Sequence, residues 1–242
     1  MKRPGWLLLC IVSTCTARGD LTIVQKVEGA GPLAEMTIKI KGDKARIESS
    51  PQVTTIIDSK TGDMLNLMND KKKYLRISGE KAKAVAEMAT RFGGDKKSAE
   101  KPKLVPTGKK QTINGYEAEE YTCQTPQFKA SYWIALSYPD SAGIVKQLQA
   151  MTPAAWSGAV NSMPDYRDFP GLPIRTNISM NGQNITSTVS AVKQDALPET
   201  QFSVPPGYEE MKMPDIGKML GGKSPAQDST RSTTKPESSA QP

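Results

Sequence analysis

Apolar and polar residues alternate along much of the chain. Met36, Ile38 and Ile40 are interleaved with Thr37, Lys39 and Lys41; after Gly42-Asp43, Ala45 and Ile47 are interleaved with Lys44, Arg46 and Glu48. Successive side chains of a strand point to opposite faces, so this pattern predicts a hairpin with one apolar face. Leu21–Val27 reads as a strand before it. Val53–Asp58, Met64–Met68 and Lys73–Ile77 read as strands after it, the first two separated by a turn at Lys60-Thr61-Gly62-Asp63. Asn114-Gly115 lies between Lys109–Ile113 and Tyr116–Cys123, and Asn181-Gly182 between Ile174–Met180 and Asn184–Val192. A two-residue hairpin turn requires positive φ at its centre, which Asn-Gly adopts at low steric cost. Phe128–Leu136 adds a strand carrying Tyr132 and Trp133.

Helical spacing interrupts this pattern. In Glu80–Phe92, Ala82, Val85, Ala86, Ala89 and Phe92 form one stripe that ends at Gly93-Gly94. In Ser141–Met151, Ile144, Val145, Leu148 and Met151 form another, stopped by Pro153, and Ala154–Met163 reads as a short third helix with Trp156. Such stripes bury one side of a helix. The expected class is α+β, mainly antiparallel β: about ten strands, with two or three helices covering one face of the sheet.

Met1-Lys2-Arg3 is basic, Trp6–Val12 is apolar, and Ser13 to Ala17 are small residues with Cys15 among them. This three-part arrangement predicts a signal peptide over residues 1–17 and hence an exported protein, periplasmic or extracellular. The apolar run is shorter than the roughly 20 residues of a membrane-spanning helix. Two processing routes fit: cleavage after Ala17, or lipidation of Cys15, since Val12-Ser13-Thr14-Cys15 resembles a lipobox. The second would tether the protein to the outer membrane. Residues 18–222 are expected to form one domain, with a charged linker loop at 93–103. Residues 223–242 have no large apolar side chain and are expected to be a disordered polar tail.

Composition narrows the chemistry. The chain has three cysteines and no histidine. Cys10 and Cys15 fall in the leader, so Cys123 has no internal partner and reads as a buried structural thiol. Without histidine, Ser-His-Asp and Cys-His catalysis and imidazole metal ligation are excluded. Glu117, Glu119 and Glu120 are the nearest thing to a carboxylate cluster, and their strand pattern favours a solvated face. Neither catalytic nor metal-binding nor cofactor-binding residues are expected. Asn177-Ile178-Ser179 and Asn184-Ile185-Thr186 match the glycosylation acceptor pattern and read as polar strand residues. The formal charge of +7 is spread over turn rims and strand faces. Export and the lack of interleaved exposed aromatics argue against a nucleic-acid partner.

Three segments carry a resemblance. They are Thr54-Thr55-Ile56-Ile57-Asp58 with Gly62 and Lys73-Tyr74; Gly108 with Ile113 through Tyr121; and Leu197-Pro198-Glu199 through Phe202-Ser203-Val204-Pro205-Pro206-Gly207-Tyr208. In this order, over roughly Leu21 to Tyr208, the chain resembles a family of exported bacterial proteins, domain of unknown function 4412. That family looks related to the periplasmic lipoprotein carriers and outer-membrane lipoprotein receptors. The resemblance implies a curved sheet or unclosed barrel whose concave face is plugged by helices, with a hydrophobic cavity for acyl chains. Val85, Met88, Phe92, Trp133, Leu148, Met151 and Trp156 are the candidate cavity lining. The expected function is a non-catalytic envelope protein that binds or carries a lipid or lipoprotein acyl chain. The alternative is a structural or protein-interaction module with a filled core, docking another envelope protein.

Overall fold

The computed structural model describes residues 19–29, 34–84, 102–125, 128–151, 164–180 and 182–212. Among these residues twelve strands are seen: β1 Leu21–Glu28, β2 Ala34–Lys41, β3 Lys44–Ser50, β4 Val53–Asp58, β5 Met64–Met68, β6 Lys73–Ile77, β7 Val105–Ile113, β8 Tyr116–Gln124, β9 Phe128–Ala135, β10 Leu172–Met180, β11 Gln183–Lys193 and β12 Glu209–Met211. They form one unclosed sheet in the order β12-β6-β5-β4-β3-β2-β1-β11-β10-β9-β8-β7. Two antiparallel meanders, β1–β6 and β7–β11, are thus fused where β1 pairs with β11. The strand count exceeds the expected ten, and β12, pairing parallel with β6, departs from the antiparallel rule.

The turns follow their sequence signals. Asn114 and Gly115 have φ of 50° and 84°, and Ile113 pairs with Tyr116 across them. Lys41 pairs with Lys44 across Gly42-Asp43. In the second Asn-Gly hairpin Met180 pairs with Gln183, and Gly182 has φ 77°.

The sheet is curved, and one contact shows how strongly. Asn114 Nδ2, at the tip of the β7–β8 hairpin, donates to Val189 O on β11 at 2.6 Å. From β8 to β11 is three strand spacings, about 14 Å in a flat sheet, so the sheet must curl for that bond to form. Register shifts in β1–β11 and β9–β10 supply bends, since an extra residue on one strand increases its local twist.

The two edges are protected differently. On β7 every residue except Ile113 is exposed, and Pro106, Gly108, Lys109 and Lys110 sit on it. Proline, irregular register and lysine all discourage another strand from adding there. The β6 edge is covered by β12, which ends a return segment starting after β11. That segment is clasped by side chains: Asp20 accepts from Leu197 N at 2.7 Å and from Lys41 Nζ at 2.8 Å, and Arg46 donates to Gln201 O at 2.9 Å. Within the segment Phe202 is buried, Tyr208 donates to Asn69, and Glu210 accepts from Tyr74.

The Asp20 clasp links stability to pH. Burial pushes the Asp20 carboxyl up, but the bonds from Lys41 and Leu197 and the Lys41 charge outweigh it, holding the pKa below the ordinary 3.8. A carboxylate with a depressed folded pKa stabilises fully above its unfolded value and loses that contribution as pH falls through the folded one. Asp20→Asn is therefore expected to lower the melting temperature at neutral pH, and the two proteins to converge at an acid pH below the depressed carboxyl pKa. Melting curves separated by the same interval at both pH values would contradict the clasp.

A single α-helix, Ser141–Ala150, is described in full, ending one residue before its expected limit, with Met151 as its cap. Residues 79–84 are helical, and the remainder of the expected Glu80–Phe92 helix lies outside the described residues. So do the expected helix Ala154–Met163, most of the 93–103 loop, and the tail. By contacts the chain divides into 1–211 and 212–242. Among the described residues no helix is long and apolar enough to cross a membrane.

Candidate functional site

Register converts the alternating pattern of β1 to β6 into continuous rows. Leu21, Ile40, Ala45, Ile57, Met64 and Ile77 oppose one another in turn across six strands, so their side chains share one face. Ile23, Ile38, Ile47, Thr55, Asn66 and Leu75 form the next row on that face.

Burial changes along these rows. Leu21, Ile23 and Ile40 are 0–2% exposed. They belong to one core cluster with Ile38, Ala45, Ile57, Leu172, Ile174, Val189 and the helix residues Ile144 and Leu148. Burying each such side chain stabilises the fold by about 1.5–3 kcal/mol. Toward β5 and β6 the same face opens: Ile47, Met64, Leu75 and Ile77 are only half-buried, although Ile47 and Met64 still pack against the cluster. The face is thus a filled core at one side and an accessible apolar surface at the other.

Of the expected lining residues, Trp133, Leu148 and Met151 are described and meet in this one cluster, Leu148 within it and the other two packed against it. Val85, Met88, Phe92 and Trp156 lie outside the described residues, as does Cys15. Sequence reasoning missed Met64 and the Thr55–Asn66 pair. The available signal was the β4–β5 turn, which sets Thr55 opposite Asn66 and Ile57 opposite Met64.

The remaining candidates are accounted for locally. Cys123 is free and 1% exposed, in a second cluster with Ala130, Tyr132, Ile134 and Phe169, and burial pushes its thiol pKa up. That is the reverse of an activated nucleophile. The Tyr132 hydroxyl in this cluster is buried without a hydrogen-bond partner, and desolvation raises its pKa. Glu117 pairs with Lys110, and Glu120, on the opposite face of β8, with Lys109. Asn177 donates to Ser131 and accepts from Thr186 within the sheet. No group of three or more His, Cys, Asp or Glu residues arranged to hold a metal occurs among the described residues. A concavity of about 440 Å³ lies elsewhere, at the end of the sheet. Its lining is charged: Lys41, Asp43, Lys44, Asp58, Lys60 and Glu199, with Gly42.

This arrangement defines a mainly antiparallel, unclosed curved sheet whose main core cluster includes the helix residues Ile144 and Leu148. The chain belongs to the family described as domain of unknown function DUF4412, which matches over residues 19–208. Among curated proteins none matches it. Solved structures similar to it include PNGF-II in a C2 crystal form, 14% identical with a TM-score of 0.40, covering 84% of this chain and 32% of that one. A DUF1329 family protein from Desulfovibrio piger is 12% identical with a TM-score of 0.31, covering 78% of this chain and 91% of that one. The chain spans about a third of PNGF-II. These likenesses are too distant to bear on what this chain does.

Proposed function

We propose that this is an exported, non-catalytic envelope protein that holds a lipid or lipoprotein acyl chain against the apolar face of its sheet. The observation carrying this reading is the Leu21–Ile40–Ala45–Ile57–Met64–Ile77 row, buried at β1 and half-open at β5 and β6. In this reading the Ser141–Ala150 helix, whose Ile144 and Leu148 share a core cluster with Leu21, Ile40, Ala45 and Ile57, caps the filled end of that row, and an acyl chain extends the cover toward Met64 and Ile77. Transfer of apolar surface out of water, about 25 cal/mol per Å², drives such binding without any polar contact. Methionine suits the open end, because its unbranched thioether adapts to guests of different shape. Residues 1–17 serve as the export leader, with Cys15 the attachment point if the mature protein is lipidated.

Native mass spectrometry of the protein purified from its own envelope tests this. The expected spectrum shows a fraction carrying one lipid mass, lost on extraction. A bare protein that also takes up no acyl ester would favour the alternative, a protein-interaction module. The near-zero exposure of Leu21, Ile23 and Ile40 is what favours that second reading, since this part of the face is already full.

A further inference from the structure

One position breaks the apolar rows. Across Ile23, Ile38, Ile47 and Leu75 the face is hydrocarbon, yet Thr55 and Asn66 oppose each other in the middle of that row, half-buried. A polar pair in such surroundings costs free energy unless its hydrogen-bonding groups are used. Thr55 Oγ1 donates to Asn66 Oδ1 at 2.9 Å, which fixes the orientation of the amide. Among the described residues the amide nitrogen then has only Met64 Sδ, at 3.7 Å, as its acceptor. A thioether is a weak acceptor, and an asparagine amide has two N–H donors. The pair therefore holds at least one donor that no strong acceptor fills, on the open part of the face and directly beside Met64.

We propose that Asn66 Nδ2 donates to the carbonyl oxygen of an ester- or amide-linked acyl chain, so that the site selects acyl groups over plain hydrocarbon. This rests on the acyl-binding reading and adds the chemical class of its ligand. Thr55 is the positioning residue: its hydroxyl occupies the amide oxygen and turns the nitrogen outward. The chain of the ligand then runs along Met64, Leu75 and Ile77, and the carbonyl marks its register on the sheet. A free alkane gains the same hydrophobic contact and leaves Asn66 with its sulfur contact alone.

The test is displacement of a neutral apolar dye, N-phenyl-1-naphthylamine, by methyl decanoate and by undecane. The unmodified protein is expected to bind the ester about two- to tenfold more tightly than the alkane, the range one neutral hydrogen bond supplies. Asn66→Leu is expected to bind both and to lose that preference, and Thr55→Val to reduce it, with melting curves reporting that each variant folds. If both competitors bind equally to the unmodified protein, or if Asn66→Leu and Thr55→Val both keep the preference, the carbonyl assignment is wrong and the acyl site stands. If neither displaces the dye, the acyl site fails and the assignment with it.

Discussion

Met64→Glu is expected to fold and to lose acyl-chain binding by tenfold or more. Met64 is half-buried on the open part of the apolar face, between Ile57 and Ile77 in register. In the free protein a carboxylate there can stay hydrated. Covered by an acyl chain it would be an unpaired charge taken out of water, which costs far more than the chain contact returns. Dye displacement by methyl decanoate measures the loss, and a melting temperature within a few degrees of the parent shows the fold is kept. Undiminished binding by Met64→Glu would move the ligand off this face.

Leu21→Ala is expected to have the largest effect on stability, and for the opposite reason. Leu21 is 0% exposed, at the filled end of the same row, beside Ile40 in register and Gly19-Asp20 in sequence. Deleting a buried leucine side chain loses its transfer free energy and leaves a cavity, together about 2–5 kcal/mol. For a domain of this size each kcal/mol shifts the melting temperature by about 2–4 °C, so thermal unfolding should occur roughly 5–20 °C lower. Two substitutions on one row thus separate its two roles, since Leu21→Ala lowers stability and Met64→Glu lowers binding. A loss at Leu21 as small as that at Met64 would mean the core lies elsewhere.

The local elements were legible because their causes are local. Val53–Asp58, Met64–Met68 and Lys73–Ile77 appear with the bounds that alternation and turn residues imply. The Asn114-Gly115 turn follows from the positive φ its residues tolerate. β7 extends back to Val105, beyond the expected start at Lys109, and its Pro106 and Gly108 are accommodated by an irregular register at the sheet edge. β12 has only three residues and no alternation; it exists because the clasped return segment delivers it to β6.

The joining of β1 to β11 was not legible at all. It pairs Thr22 with Lys193 across most of the chain, and no local signal encodes such a partner. The site suffered likewise. Ile38, Ile40 and Ile47 show an apolar face within one hairpin, but the six-strand row appears only when register is known. Thr55 and Asn66 look unremarkable in their own strands, and only their opposition in the middle of hydrocarbon gives them meaning.

Photo-crosslinking tests the central claim most directly: a decanoate ester carrying a diazirine in its chain, activated on the protein, with the labelled peptides sequenced. Acyl binding on the open apolar face predicts label on Met64–Ile77 and on Ile47, suppressed by excess methyl decanoate. Competable label confined to other strands, or no competable label, would contradict it.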